Sequence, residues 1–432
     1  MNKYSIVSLG CAKNLVDSEK ISRIFVENGF ILEPDTKKSD VIFINTCAFL
    51  KEAIIEAYQN IKDVIKKQKK SGALIIVAGC LPARKNISEL KKDFPEVDYW
   101  IAYRELQKIG SILSKYNKNY HEKKEIVQYS FTPIHYAYLK IADGCNHKCS
   151  FCAIPSIKGR YKSQSGKDIL KEAELLAERG AVELNIIAQD TTFYGKDIYK
   201  NYDLIDLMND LSLIKKIKWI RLLYAYPDMI NDNLLDCIRN NSKILHYLDM
   251  PLQHSENKIL KLMKRSGSKE FYYRLIDKLR SKIPDIALRT TFITGFPGET
   301  KKDFKNLMKF VQTVRFERLG VFKYSNEDGT KAYSFEDQVS EKEKNDRYQK
   351  LMLLQKSIIH EDNKKLIGKE ATVLIDKKLK NSKYKYFSRT YRDAPEIDTG
   401  VYLKENNINP GEFHKVVYNR SIDYDMEGKL LF

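Results

Sequence analysis

Long hydrophobic runs are missing from this sequence. No stretch of eighteen consecutive apolar residues occurs in its 432, which excludes a membrane-spanning helix. The apolar segment ahead of Cys11 covers only residues 4–9, too short for the hydrophobic region of a secretory or lipoprotein leader. Cysteine is scarce as well. Its seven copies are an odd number, which excludes a fully paired disulfide framework and suits reduced thiols used as metal ligands. A cytoplasmic protein with no membrane partner is expected. Acidic residues are outnumbered, 57 against 75 Lys plus Arg, for a net charge of +18. That balance favours an anionic partner such as RNA or the ribosome, although a chain crowded with Lys, Ile, Asn and Tyr reaches the same excess without any partner.

What is present is enough apolar content, 43%, for packed cores in about three domains at roughly 150 residues each. Six of the seven cysteines fall within the first 152 residues. The seventh, Cys237, stands alone in a helical pattern and is expected to be a buried small apolar residue.

The central motif is DGCNHKCSFC at 143–152, which sets Cys145, Cys149 and Cys152 in a CxxxCxxC spacing. Residues 135–142 just before it alternate and carry aromatics like a strand. The thiols therefore lie on a loop leaving the carboxyl end of a strand, where barrel and open-sheet enzymes place their chemistry. A closed structural metal site wants four ligands, so three soft ligands suit a 4Fe–4S cluster with one open iron. Zinc with His147 or a remote residue as fourth ligand is the other reading, although no second cysteine pair accompanies this one. The motif resembles that of the radical S-adenosylmethionine (SAM) superfamily, with Phe151 at its aromatic position. The resemblance implies that SAM chelates the open iron and that one electron cleaves it to a 5′-deoxyadenosyl radical.

Three apolar runs precede this motif, at 4–9, 40–46 and 73–79, and each leads into a cysteine: Cys11, Cys47 and Cys80. Helical patterns at roughly 14–28 and 50–70 separate them, which predicts a parallel sheet with crossovers. All carboxyl ends of such a sheet share one edge, so the three cysteines can converge there. A second three-thiolate cluster is one reading; buried cysteines that happen to end strands is the other. The segment GCAKNLVDSE at 10–19 resembles the opening motif of the methylthiotransferases, with Asn14, Asp17 and Ser18 in its spacing. That resemblance implies a flavodoxin-like domain over residues 1–125 whose Cys11, Cys47 and Cys80 hold an auxiliary 4Fe–4S cluster. The polar stretch 115–124 is read as a linker.

From 130 to 366 the pattern gives six βα units, with strands at about 135–142, 182–188, 219–227, 247–254, 287–295 and 318–324. A partial (β/α)6 barrel is expected. Its rim would collect Gln189, Asp190, Tyr226, Gln253, His254 and Tyr324. Phe151, Gln189 and Gly295, the last in GFPGET at 295–300, are the candidate SAM contacts. A hydrogen-bonded structural role is favoured for His254 over acid–base work. Ser340 and Glu343 form a capping box at the start of a long helix.

Residues 367–432 carry five short strand patterns, which suggests a small β-barrel. The family places a TRAM domain here. Tyr384, Tyr386, Phe387 and Tyr391 among lysines would suit base stacking. Yet residues 368–432 hold 12 Lys plus Arg against 10 Asp plus Glu, a net of +2, so the domain is a poor general RNA clamp and better suited to a basic protein. Asp393, Glu396 and Asp398 are the candidate substrate contacts.

Three features resemble the RimO-type branch, which modifies the β-carbon of an aspartate in the twelfth small-subunit ribosomal protein: CAKNLVDSE at 11–19, DMPLQH at 249–254 and DAPEID at 393–398. Ala12 departs from the proline usual there. The resemblance implies two 4Fe–4S clusters, SAM, an exogenous sulfur on the auxiliary cluster, and an electron donor such as flavodoxin or ferredoxin. The other branch methylthiolates a tRNA adenosine.

Overall fold

The structure is a computed structural model that describes residues 2–68, 72–117, 129–405 and 407–431. Most of the expected linker at 115–124 and the boundary at 125 lie outside the described residues. The chain forms two compact units. One contains residues 1–132, 143–162 and 327–330; the other contains 133–142, 163–326 and 331–432.

The first unit is built on a five-stranded parallel sheet of β1 (Lys3–Ser8), β2 (Ile31–Leu32), β3 (Val41–Thr46), β4 (Leu74–Gly79) and β5 (Tyr99–Ala102), ordered β2-β1-β3-β4-β5. This is the flavodoxin-like order. Strands β3 and β4 are buried at every position, as central parallel strands covered on both faces must be. Alternation divides their side chains between two cores. Phe43 and Ile76 pack with Tyr4 of β1 and Phe25 of helix α1 (Ala12–Glu27). Ile42, Ile44 and Val77 pack with Ala57 and Ile61 of α2 (Lys51–Gln68). The second core also takes Ala153 and Ile157 from the segment after the central cysteines.

In the second unit, six strands run parallel in sequence order: β6 (Tyr136–Lys140), β7 (Glu183–Ile187), β8 (Trp219–Leu222), β9 (Ile244–Asp249), β10 (Ala287–Thr294) and β11 (Arg318–Lys323). A helix follows each of the first five, except that β6 first gives out the cysteine loop. The third crossover strand starts at Ile244 rather than 247. The helix after β10, Lys301–Val314, is closed by a full capping box of Thr300 and Asp303. The long helix Glu341–Lys364 has only half of its expected box: Ser340 accepts from the Glu343 N–H, while the Glu343 carboxylate turns to Arg347 instead.

Residues 370–430 form a closed barrel of β12 (Glu370–Lys378), β13 (Tyr386–Thr390), β14 (Val401–Leu403), β15 (Phe413–Ile422) and β16 (Asp425–Leu430), ordered β12-β13-β14-β16-β15. The last strand begins four residues before the expected 429, because a tight turn with Asp423 at positive φ folds it straight back along β15. Tyr386 sits in this barrel's core and Tyr384 is also buried, its hydroxyl donating to Glu427. The expected base-stacking set is thus half absorbed by packing.

Candidate iron–sulfur and SAM sites

Cys11, Cys47 and Cys80 stand at the carboxyl ends of β1, β3 and β4, as the strand pattern implied. Cys11 is the N-cap of α1. Cys80 opens the short helix α3 (Cys80–Arg84). Asn14 sits among them. Its amide donates to the carbonyls of Leu9 (3.0 Å) and Thr46 (3.1 Å), and its oxygen faces the Cys80 Sγ at 4.0 Å. Asn45 clamps α1 to β3 by donating to the Asn14 carbonyl and to Ser18 Oγ, each at 2.9 Å. Arg84 ties the loop after Cys47 by donating to the carbonyls of Ala48 and Phe49. Arg84 also pairs at 2.8 Å with Glu327, whose other oxygen accepts the Lys51 N–H at 2.7 Å. None of Asn45, Arg84 or Glu327 was marked by the sequence.

Gly10 has φ +92°, and a Cβ there would stand 2.6 Å from the Cys47 Cβ. The cradle around the thiols therefore requires glycine. Gly10→Ala is expected to halve the iron retained by the full-length protein after anaerobic reconstitution, measured as iron and acid-labile sulfide per chain.

The three thiols of this cradle differ in their electrostatics. Desolvation opposes ionisation of Cys11, but Lys13, the Asn14 N–H and Lys158 outweigh it and hold the thiol below the usual range. Burial pushes Cys47 up, against the Phe49 N–H and Lys158. Burial pushes Cys80 up to about 12, with the neighbouring thiolates adding to it and Lys158 opposing. Three thiolates this close need a bound cation to ionise together. Among the described residues no three His, Cys, Asp or Glu side chains converge on a point the size of one ion. A cubane cluster makes no such demand, since each thiolate binds a different iron. The donor set fits it.

Cys145, Cys149 and Cys152 share one loop that folds back on itself. The Cys145 N–H donates to the Gly159 carbonyl and the Cys152 N–H to the Cys149 carbonyl. Asn146 accepts the Tyr161 N–H. All three cysteines and Phe151 are half-buried. Arg104, after β5, donates to the carbonyls of Pro155 and Ser156 and fixes helix α4 (Ile154–Lys158) against the first sheet. Both cysteine sets thus belong to one compact unit.

The rim residues divide by role. Gln189, just past β7, has a buried side-chain amide whose oxygen and nitrogen both lack a protein partner. Ser255 Oγ shares that condition among the described residues, while the His254 Nε2 lies 3.6 Å from Glu299. An orphaned amide at a barrel rim fits a polar ligand such as SAM. Asp190 caps the turn after it, accepting from the Thr192 N–H and Oγ1. His254 is fully buried, and its Nδ1 accepts from the Glu256 N–H, in keeping with the structural role. Tyr226 lies under the Arg265 guanidinium, 4.1 Å from its ring centre. Gln253 adopts φ +71°, and Tyr324 donates to Asn326.

Gly295, an expected SAM contact, makes an internal hydrogen bond through its backbone. Its N–H donates to Glu299 at 2.8 Å, and that carboxylate is held by Arg347. A Cβ at Gly295 would meet Lys344 Cγ at 2.3 Å, so glycine is needed there for the close approach of the long helix. Cys237 is half-buried rather than buried and faces Asn209 at 3.6 Å.

The acidic candidates are held by side chains of the barrel strands and of their own loop. Asp393 is bound by Arg318, Thr390 and Thr399. Asp398 accepts from the Tyr247 hydroxyl at 2.6 Å and pairs with Arg289 at 3.2 Å. Glu396 accepts from Tyr136 and Tyr138. These partners line the amino-terminal part of the barrel strands, the end opposite to that from which the chain leaves β6 for the cysteine loop. The Asp393 and Asp398 side chains are buried in these contacts, whereas Glu396 is exposed.

A partial (β/α)6 barrel with a CxxxCxxC loop at a strand end, joined to a flavodoxin-like sheet, defines a radical SAM enzyme. The Radical SAM superfamily matches residues 139–311, the uncharacterized protein family UPF0004 residues 3–102, and the TRAM domain residues 367–431. The chain is 43% identical to the ribosomal protein uS12 methylthiotransferase RimO of Thermoanaerobacter sp. (strain X514), over 99% of this chain and 100% of that one. It is 42% identical to the same-named protein of Aquifex aeolicus (strain VF5), over 99% and 97%. The chain belongs to the RimO family of radical SAM methylthiotransferases. Among solved structures it is similar to the radical SAM methyltransferase TsrM from Kitasatospora setae, with a TM-score of 0.55 at 13% identity over 75% of each chain. That likeness concerns the fold.

Proposed function

We propose that this protein adds a methylthio group to the β-carbon of an aspartate in ribosomal protein uS12. In this reading Cys145, Cys149 and Cys152 hold one 4Fe–4S cluster, to which SAM binds with Phe151 and Gln189 nearby. Cys11, Cys47 and Cys80 hold a second, which carries an exogenous sulfur. When bound, these groups would supply the electron, the hydrogen-abstracting radical and the methylthio unit. The protein's own task is to hold the thiols, orient them and keep water away. Asn14 and Asn45 lock α1 to the strand ends, Arg84 and Glu327 fix the loop after Cys47, and Arg104 seats the other cysteine loop. The observation that carries the reading is the packing of both cysteine sets into one compact unit, together with full-length similarity to proteins named for this reaction. The aspartate substrate, a flavodoxin or ferredoxin as electron donor and a cytoplasmic setting belong to the same proposal.

The test is an anaerobic assay of the reconstituted protein with SAM and reductant, offering small ribosomal subunits and tRNA in parallel and reading both by mass spectrometry. Methylthio gain on an aspartate of uS12 is expected. Gain on a tRNA adenosine instead would overturn the substrate, and absence of 5′-deoxyadenosine would overturn the chemistry.

A further inference from the structure

Basic charge is concentrated in one stretch of the chain. Residues 256–310 hold 14 Lys plus Arg against 6 Asp plus Glu, a net of +8 out of +18 for all 432 residues. A composition biased toward lysine would spread the excess along the chain instead of gathering it. The fold sets much of it on one surface. Helix α5 (Asn257–Leu262) follows the carboxyl end of β9, and helix α6 (Lys301–Val314) follows that of β10. The two are joined at the rim, where Asn306 donates to Glu256 at 2.9 Å and Lys258 Nζ to the Gly298 carbonyl at 3.3 Å. On α6 the side chains of Phe304, Leu307, Phe310 and Val311 are buried, which turns Lys301, Lys302, Lys305 and Lys309 outward, and all four are exposed. Lys258 and Lys261 of α5 are exposed as well. The carboxylates nearby are engaged elsewhere. Glu256 takes Lys269 and Asn306, Asp303 caps its own helix through Thr300, and Glu299 is held by Arg347. Lys301 and Lys302 also oppose a local preference, since they stand in the first turn of α6, at the positive end of the helix dipole, where a cation costs stability. A local rule broken without gain to the fold marks a functional surface.

We propose that the lysine face of α5 and α6 docks the phosphate backbone of RNA, so that the aspartate offered to the barrel belongs to uS12 in an RNA-bound particle rather than to the free protein. This rests on the uS12 reading above. The face adjoins the rim that carries the orphaned Gln189 amide and Ser255 Oγ, and a partner seated on it lies beside the end of the barrel at which chemistry is done. The face also offers charge without apolar surface. Among the described residues, no large exposed hydrophobic side chain falls between Leu213 and Phe322. A protein partner needs an apolar or aromatic centre to its interface, whereas phosphates need cations alone. Lys301, Lys305 and Lys309 recur every fourth residue, about 6 Å apart along the helix axis, and form a ladder that can follow a backbone of repeated charges. Phosphate contacts of this kind carry no sequence information; they fix where the particle sits, and the barrel is left to select the aspartate.

The test compares three full-length proteins: the parent, a variant combining Lys301→Gln, Lys302→Gln, Lys305→Gln and Lys309→Gln, and a control that loses the same charge from the first unit through Lys62→Gln, Lys66→Gln, Lys67→Gln and Lys91→Gln, all exposed. Affinity for purified small ribosomal subunits and for naked small-subunit RNA is measured over a salt series. Parent and control are expected to share one steep fall of log affinity with log salt. Four lost phosphate contacts should take about 3 from that slope and weaken binding about tenfold at moderate salt. In methylthio transfer the α6 variant should raise KM for subunits about tenfold at unchanged kcat, the mark of lost uniform binding, and leave transfer to free uS12 as it is in the parent. Equal binding by all three proteins overturns the docking surface, as does a parent that binds neither subunits nor RNA. A parent that modifies free uS12 as efficiently as subunits overturns the RNA-bound particle as the substrate form. If the α6 variant binds RNA normally but its clusters are no longer reduced by flavodoxin while dithionite still reduces them, the face belongs to an acidic protein and the assignment to RNA is overturned. Selective loss of RNA binding in the α6 variant, with no methylthio gain on uS12 by the parent, keeps the RNA surface and defeats the uS12 reading instead.

Discussion

Arg389→Leu is expected to destabilise the unit that contains both barrels by about 3–5 kcal/mol, the usual cost of stranding buried charge. Arg389 is 1% exposed and Glu183 fully buried, and their closest contact is 2.7 Å. The same guanidinium binds Asp376 through two nitrogens, at 2.6 and 2.9 Å, and the Asp393 carbonyl at 3.1 Å. Its removal leaves Glu183, fully out of reach of bulk water, with Arg221 alone, and the mostly buried Asp376 with His135 alone. The check is urea unfolding followed by near-ultraviolet circular dichroism. The midpoint should fall sharply for Arg389→Leu and stay in place for Lys350→Ala, which removes only an exposed pair with Asp346 of little energetic weight. An unchanged midpoint for Arg389→Leu would mean that water reaches the network and that the small barrel is not fastened there.

The same network sets an acid limit. Burial opposes ionisation of Asp376, but His135 and Arg389 outweigh it and hold the carboxyl below its ordinary value of 3.8. Asp393 is held below that value too, by Arg318, Thr390 and Thr399 against its burial. A carboxyl depressed in the folded state contributes stability above its unfolded pKa and loses it as pH falls through the folded one. The contribution is therefore whole at neutral pH and fades below about pH 4. Arg389→Leu should flatten that fall, since Asp376 then has less to lose.

The sequence carried the cysteine framework because that framework is local. Each of Cys11, Cys47 and Cys80 directly follows an apolar run, and parallel topology alone brings such positions to one edge. The six barrel strands were readable for the same reason. The strand Tyr99–Ala102 was not, since no cysteine or long apolar run marks its end. The ion pairs and hydrogen bonds of the acidic run at 393–398 were not legible because its partners lie far away in the chain: Arg318 is 75 residues from Asp393 and Tyr136 is 260 from Glu396. A usable sign existed. Arg221, Arg289 and Arg318 interrupt otherwise apolar strands, and a guanidinium at a core position demands a buried carboxylate. The buried Lys158 offered no comparable sign. It sits in a basic loop, KGRYK at 158–162, that looks solvent-facing until α4 docks on the first sheet.

Separating the two cysteine sets by function gives the largest effect of all. Cys149→Ser is expected to abolish both 5′-deoxyadenosine and methylthio product, because it takes a ligand from the site at which SAM would be cleaved. Cys80→Ser is expected to abolish the methylthio product while 5′-deoxyadenosine continues to form from SAM and reductant. The contrast is sharpest at Cys80. Its thiol is 4% exposed and is pushed up to about 12 by burial, so without a cluster it stays protonated and takes no part in SAM cleavage. Serine there cannot supply the soft thiolate that iron prefers. Both products are quantified by mass spectrometry from the same anaerobic reaction, with Cys237→Ser as the silent control, since Cys237 lies on a barrel helix and faces Asn209. Loss of 5′-deoxyadenosine in a folded Cys80→Ser protein that still binds iron at Cys145, Cys149 and Cys152 would make the two cysteine sets one catalytic unit. Retention of methylthio transfer in Cys80→Ser would remove the auxiliary cluster from the reaction.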